Sequence, residues 1–406
     1  MNKHHIAQSV LRKSSNAHWL DWCSGKGHLG RRLLSTDQQL TCLEYDPAPE
    51  AVEQMSQRLI EAKRPLILAG GGAIDAAPAL LQLAERLGAP VALTINAKGM
   101  LPASHPLLIG STQTLVATRA LVAEADVVLA IGTELAETDY DVTFAGGFEI
   151  PGALLRIDID PDQTVRNYPP ALALVADAQL AAEALLARIS AQTLPEREAD
   201  WGAARAKRLN TELAAVWDEP TRAQTHFLQT VFDVLPNAVC VGDSTQPVYT
   251  GNLTFNPDQP RRWFNSSTGY GTLGYALPAA IGAWLGRTAN GQPPGPVLCL
   301  IGDGGLQFTL PELASAVEAR TPIIVLLWNN QGYGEIKKYM LNRDIEPVGV
   351  DIYTPDLVGA AKALGCTALA VEGEAQLRAA LVGAAERQGP TVIEIDEHLW
   401  QQALAL

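Results

Sequence analysis

A chain of 406 residues, 47% hydrophobic and only 18% charged, is long enough for two or three domains with substantial cores. Its formal net charge of −14 argues against nucleic acid or an anionic membrane as the main partner. No stretch approaches the roughly 18 apolar residues of a membrane span, and the N-terminus, Met1-Asn2-Lys3-His4-His5, lacks the apolar core of a signal peptide. The five cysteines, Cys23, Cys42, Cys240, Cys299 and Cys366, are scattered and odd in number, which points to a reduced, cytoplasmic protein without a thiolate metal site.

The first fifty residues differ from the rest. His18 to Leu34 contains Asp21-Trp22-Cys23-Ser24-Gly25-Lys26-Gly27, and Leu40-Thr41-Cys42-Leu43 runs into Glu44. A strand, a glycine turn, a helix and a second strand ending in an acid fit this stretch, with Glu44 lying 23 positions after Asp21. It resembles the first β-α-β unit of S-adenosylmethionine-dependent methyltransferases, but the pattern stops by Pro47-Ala48-Pro49. Residues 1–50 are therefore read as a fused fragment without methyl-transfer activity, the plain alternative being a poorly packed extension.

From Ala51 an α/β pattern begins. Helices are expected over Ala51–Ala62, Ala77–Leu87 (closed by Gly88) and near Leu115–Ala123. Strands are expected at Pro65–Ala69, Val91–Thr94, Val127–Ile131, Leu154–Ile159 and Leu172–Val175. The fold class is α/β, with this region, 51–190, a doubly wound, Rossmann-like parallel-sheet domain. Gly70-Gly71-Gly72 is a candidate nucleotide turn, with close packing of helix on strand as the competing reading. Residues 191–225 are polar, punctuated by Pro195 and Pro220, and read as a partly helical linker.

The last domain, 226–406, opens with a helix over Thr225–Leu235 and a strand, Ala238–Val241, ending in Gly242-Asp243-Ser244-Thr245-Gln246. Asn265 to Ala283 is rich in small residues. Two continuous, β-branched runs follow, Val297–Ile301 and Ile323–Trp328, as for strands buried in a parallel sheet. Between them Thr309 and Glu312 have capping-box spacing, with Pro311 in the first turn of the expected helix. Strands at Ala368–Val371 and Thr391–Ile395 complete the sheet.

The first run ends in Gly302-Asp303-Gly304-Gly305 and the second in Asn329-Asn330-Gln331-Gly332-Tyr333. Asp303 and Asn330, 27 positions apart, thus stand just past strand ends, where open α/β sheets bind ligands. A carboxylate and an amide oxygen suit Mg²⁺, and Gly304 and Gly305 leave backbone N–H groups open to a phosphate.

The spacing and context resemble the Gly-Asp-Gly…Asn-Asn signature of thiamine-diphosphate-dependent enzymes, and residues 51–406 resemble the middle and C-terminal domains of the acetolactate synthase and 2-oxo acid decarboxylase group. The resemblance implies Mg²⁺ held by Asp303, Asn330 and the Gly332 carbonyl, and thiamine diphosphate held by Ser244, Thr245, Gln246, Gly302, Gly304, Gly305 and Tyr333. It implies that Gly271, Thr272 and Leu273 grip the aminopyrimidine, Leu273 as the wedge that bends the cofactor. Helix capping is an equal alternative for Ser244 and Thr245. Flavin is not expected, because the loop after Gly132, which carries an Arg in FAD-binding relatives, has Glu134. Ile336 occupies the place of a catalytic Glu in pyruvate-decarboxylase-type enzymes, and the family's Glu-bearing pyrimidine-binding domain has no counterpart, so no catalytic residue is named. The implied function is decarboxylation or carboligation of a 2-oxo acid, of acetolactate synthase type, by a homo-oligomer or with a second chain supplying the pyrimidine domain. The wording of the Gly-Asp-Ser-Thr-Gln and Trp-Asn-Asn-Gln-Gly-Tyr-Gly-Glu segments is closest to guanidino-2-oxopentanoate decarboxylases, with Glu335, Asp344 and Glu346 as acids for the guanidinium. The different-class alternative is an inactive cofactor-binding remnant.

Overall fold

The computed structural model describes residues 46–136, 148–289, 291 and 295–404. Two six-stranded sheets organise them, and every strand pair is parallel. The methyltransferase-like segment lies outside the described residues, apart from its last few.

The first sheet has the order β3-β2-β1-β4-β5-β6, built from β1 (Pro65–Ala69), β2 (Val91–Leu93), β3 (Leu108–Gly110), β4 (Val127–Ile131), β5 (Ala153–Asp158) and β6 (Leu172–Val175). One face is covered by α1 (Pro49–Glu61), α2 (Ala77–Leu87) and α4 (Ala178–Ser190), whose apolar sides meet alternate strand residues such as Ile67, Leu129 and Leu155. Gly88 stops α2 in the left-handed region, at φ 60°. Asp177 caps α4, accepting from the Gln179 and Leu180 amides at 2.9 and 3.0 Å. The other face holds α3 (Val116–Glu124) and, unexpectedly, the polar connection after residue 190. There α5 (Ala203–Val216) lays Ala206, Leu209 and Leu213 on Leu66, Leu68 and Val128. Trp201 Nε1 donates to the Pro65 carbonyl at 2.8 Å, and Arg205 makes a bidentate pair with Glu124 at 2.8 and 3.0 Å. That segment is packed rather than slack. Its buried residues recur three or four apart, a signal thinned by the charged residues between them.

The second sheet runs β11-β12-β10-β9-β7-β8, from β7 (Val239–Gly242), β8 (Trp263–Asn265), β9 (Val297–Gly302), β10 (Ile324–Asn329), β11 (Thr367–Val371) and β12 (Thr391–Asp396). On one face α6 (Glu219–Val234) and α13 (Gly373–Ala385) pack through Phe227, Leu377 and Leu381 around Trp328 and Trp400. On the other lie α8 (Ala276–Ala289), α10 (Glu312–Glu318) and α12 (Leu357–Ala363). Cys240, Cys299 and Cys366 are buried free thiols; burial pushes the Cys366 thiol up to about 11.

Two local expectations need correcting. The strands β3 and β8 have no counterpart in the sequence reading, being three residues long at sheet edges. The capping box at Thr309 does not form. The chain turns helical at once, in α9 (Asp303–Thr309), and Pro311 precedes α10 with no side-chain cap. Thr309 instead donates its hydroxyl to the Gly274 carbonyl at 3.1 Å, tying α9 to a distant loop. No helix among the described residues is long and apolar enough to cross a membrane.

Candidate active site

In the second sheet β7 is followed on one side by β8 and on the other by β9, so the strand order reverses between β7 and β9. In open parallel sheets the crevice beyond the strand ends at such a point takes the ligand. The register sets the depth: Gly242 pairs with Leu300, and Gly302 with Trp328, which brings Asp243, Asp303 and Asn330 to one edge.

Those ends border one pocket. It is lined from β7 and α7 (Gln246–Thr254) by Ser244, Thr245, Gln246 and Tyr249, from β9 and α9 by Gly302, Asp303, Gly304 and Gly305, and from β10 onward by Asn330, Gly332, Tyr333, Gly334, Glu335 and Ile336. Gly271 and Leu273 close it from a separate loop. Of the residues singled out in the sequence for cofactor or metal, only Thr272 is not part of the lining. Of the three acids considered for a guanidinium, Glu335 faces the pocket, whereas Asp344 and Glu346 are exposed and do not line it.

The hydroxyls of Ser244 and Thr245 do not cap α7. Thr245 is its N-cap residue by backbone conformation but makes no side-chain cap bond, and Ser244 Oγ lies 3.1 Å from Ser266 Oγ. The space around the glycines is tight. A Cβ on Gly304 would lie 2.6 Å from the Tyr333 ring, and one on Gly305 2.5 Å from Asp243 Oδ2. Backbone therefore approaches the pocket where any side chain would fill it.

Three oxygen-bearing groups converge at the centre. One end of the Asn330 amide lies 2.8 Å from the Gly332 carbonyl oxygen and 3.2 Å from Asp303 Oδ1. Adjacent ligands of an octahedral Mg²⁺, each about 2.1 Å from the ion, are about 3 Å apart. The two separations from the Asn330 amide match edges of such a shell. Among the described residues no three His, Cys, Asp or Glu side chains form an alternative metal cluster. Asp303 is 1% exposed; burial raises its pKa, opposed by the Thr354 hydroxyl, which donates to Oδ2 at 2.9 Å, and by the Gly304 and Asn330 amides.

Sequence reasoning missed Asp243. It is fully buried, its Oδ1 accepting from the Ser244 amide at 2.8 Å and its Oδ2 from the Gly274 amide at 2.7 Å. Burial pushes its pKa up to about 6. With Thr309 on the Gly274 carbonyl, Asp243 fixes the loop that carries Leu273 at both backbone polar groups of one residue. A run of Gly-Asp-Ser reads locally as a turn, and nothing in it signals that the acid points inward.

Two doubly wound parallel sheets, one with a glycine-rich, oxygen-lined crevice at its switch point, define a coenzyme-binding α/β protein. The central-domain model of the thiamine pyrophosphate enzymes matches residues 52–185, and their C-terminal TPP-binding-domain model matches residues 243–395. The chain belongs to the thiamine pyrophosphate enzyme family, whose coenzyme is thiamine diphosphate. It is 41% identical over 351 residues to a Pseudomonas aeruginosa protein named "Probable 2-ketoarginine decarboxylase", covering 86% of this chain and 61% of that protein. It is 30% identical over 306 residues to a "Probable acetolactate synthase large subunit" of Methanocaldococcus jannaschii, covering 72% of this chain and 50% of that one. The chain thus spans between half and two thirds of the length of these relatives. The benzoylformate decarboxylase structure from Polynucleobacter necessarius shares the fold, with a TM-score of 0.68 at 23% identity over 98% of this chain and 78% of that one. The methyltransferase resemblance of residues 1–50 finds no support: neither family model reaches that segment.

Proposed function

We propose that this chain carries the metal-and-diphosphate half of a thiamine-diphosphate-dependent 2-oxo acid decarboxylase, and that its substrate is 5-guanidino-2-oxopentanoate. The observation that carries the first part is the Asn330 amide lying 2.8 Å from the Gly332 carbonyl and 3.2 Å from Asp303 Oδ1, separations that adjacent octahedral ligands have. Asp303, Asn330 and Gly332 would hold Mg²⁺, which would supply positive charge for the diphosphate. The first-turn amides of α9 at Gly304 and Gly305, following Gly302, and the hydroxyls of Ser244 and Thr245, neither of them used to cap α7, would meet the phosphate oxygens. Tyr333 packs over Gly304, and Gly271 to Leu273 would seat the aminopyrimidine with Leu273 as the wedge. When bound, thiamine diphosphate supplies a thiazolium that accepts the electron pair left by departing CO₂.

The substrate reading is supported by the 41% identical relative's name and by Glu335 at the pocket wall. Burial raises the Glu335 pKa, with Lys338 and Gln246 opposing it, so the carboxylate is short of solvation and gains from a cationic partner. No described carboxylate is assigned to proton transfer at the aminopyrimidine. We place that group on a partner chain or domain that meets the pocket mouth. Tyr270, Phe308, Ile336, Tyr339 and Tyr353 are large apolar or aromatic side chains left exposed on the segments that border or adjoin the pocket, as a docking face would leave them. Leu277 is buried in the core and Leu273 is half-buried, so neither adds to that face.

The test is CO₂ release from 5-guanidino-2-oxopentanoate, 2-oxopentanoate and pyruvate with Mg²⁺ and thiamine diphosphate. Preference for the guanidino acid is expected; preference for pyruvate would return the chain to the acetolactate synthase reading. Release from none of the three, with or without a partner supplying the pyrimidine domain, would favour the inactive remnant. Glu335→Gln should cost about 10-fold in kcat/KM for the guanidino acid and little for 2-oxopentanoate, the loss expected for one charge-assisted contact.

A further inference from the structure

An asparagine amide has an accepting and a donating end, and only the oxygen end can ligate a cation. At Asn330 the choice is not trivial. Turned one way, its nitrogen would donate to the Gly332 carbonyl at 2.8 Å and to Asp303 Oδ1 at 3.2 Å, and the cluster would be closed by its own hydrogen bonds. Turned the other way, three acceptors meet and only a cation reconciles them.

The deciding groups lie behind the amide. Its other end is 2.8 Å from Gln246 Oε1. An oxygen acceptor calls for an N–H donor, so Gln246 Oε1 calls for nitrogen on this side. Gln246 could turn as well, but its own N–H end stabilises the Glu335 carboxylate, and turning would set its carbonyl oxygen against that charge. A direction is therefore carried from Glu335 through Gln246 to Asn330. Gly334 leaves room for it: a Cβ there would lie 2.6 Å from Asn330 Nδ2 and 3.3 Å from Gln246 Oε1.

We infer that Gln246 is a positioning residue that locks the polarity of the Asn330 amide, so that its oxygen rather than its nitrogen faces the cation position between Asp303 and Gly332. The inference rests on the reading of those three residues as the Mg²⁺ site. It also gives Gln246 a role different from phosphate binding, since its amide is occupied by Asn330 and Glu335. Partners that orient a metal ligand from outside the coordination shell are worth 10- to 100-fold in metal affinity.

Mn²⁺ affinity of the full chain, read from the free-ion EPR signal in the presence of thiamine diphosphate, tests this without turnover. Gln246→Met keeps the length and removes the acceptor, and should weaken Mn²⁺ binding at least about 10-fold. Gln246→Glu, made together with Glu335→Gln so that no second carboxylate faces it, keeps an acceptor toward Asn330 and should bind within about threefold of the Glu335→Gln protein; a loss equal to that of Gln246→Met would overturn the inference, as would parent-like binding by Gln246→Met. In an Asn330→Asp background a carboxylate presents oxygen whichever way it turns, so Gln246→Met should there cost less than about threefold. The same 10-fold cost in both backgrounds would show a merely structural role for Gln246. Failure of the unmodified chain to bind Mn²⁺ at all would instead sink the cation site itself.

Discussion

The two sheets reverse strand order at equivalent places, β1/β4 in the first and β7/β9 in the second, and both do so with glycine turns. The outcomes are opposite. In the first, the turn after β1 is pressed against the turn after β4: a Cβ on Gly70 would lie 2.1 Å from the Gly132 carbonyl oxygen, and the Gly72 amide donates to that oxygen at 3.0 Å. Backbone meets backbone, and the glycines there serve the packing of one turn on the other. In the second, the glycines face a crevice, and what meets them is a buried carboxylate, an aromatic ring and an amide. A glycine turn at a switch point therefore says that something comes close. Whether that is the chain's own backbone or a ligand depends on the polar groups around it. In this molecule the sheet with Asp243, Asp303 and Asn330 at its edge is the one left open.

Three changes sharpen that contrast. The largest effect is expected for Asp303→Ala, which leaves the Asn330 and Gly332 oxygens to hold an ion that gives up water reluctantly; Mg²⁺-dependent thiamine diphosphate affinity should fall at least about 100-fold. Titration of cofactor against tryptophan fluorescence measures it, and an unchanged constant would remove the metal assignment. Next come two alanines. Gly70→Ala inserts a methyl into backbone-to-backbone contact and should cost about 3 kcal/mol or more of stability, with the cofactor affinity of the folded fraction kept. Gly305→Ala pushes on Asp243 Oδ2 and should weaken cofactor binding more than it lowers Tm. If both behave alike, the two turns do not differ in function.

Much of this was written in the sequence. Continuous β-branched runs gave the long central strands, and Asp303 and Asn330 could be paired because both directly follow such runs. The parts that were not legible are non-local or short. β3 and β8 are three-residue edge strands with too few residues for a period to show. Thr309 and Glu312 match a local helix-start rule, but Thr309 finds a partner 35 positions away in Gly274, and tertiary contact overrides the cap. Gln246 could be placed near a phosphate by its neighbours in sequence; that it meets Asn330, 84 positions on, needed the fold. The helix α5 was obscured because its charged side chains reach out past an apolar stripe that rests on the first sheet.

The smallest effect concerns the acid that the open edge leaves buried. Asp243 has a folded pKa of about 6, against an ordinary value near 4 in the unfolded chain. The folded state thus holds this proton more tightly than the unfolded state does. Its contribution is fully present below about pH 4, is lost as pH rises through about 6, and is flat above that, the reverse of a salt-bridged carboxylate. Two pKa units correspond to roughly 2–3 kcal/mol over that window. Burial shifts Asp303, Glu335 and Glu397 in the same direction, so the metal-free protein should become less stable from pH 4.5 to 7. Asp243→Asn removes one titrating group and should flatten part of that slope, although it leaves one of the two amides, Ser244 or Gly274, without a good acceptor and lowers stability at acid pH. Urea unfolding of both proteins at pH 4.5, 5.5 and 7 separates the two effects, since a lost hydrogen bond shifts all three values alike. A slope unchanged by the substitution would mean that Asp243 stays ionised in the folded protein, held there by its two backbone donors despite its burial.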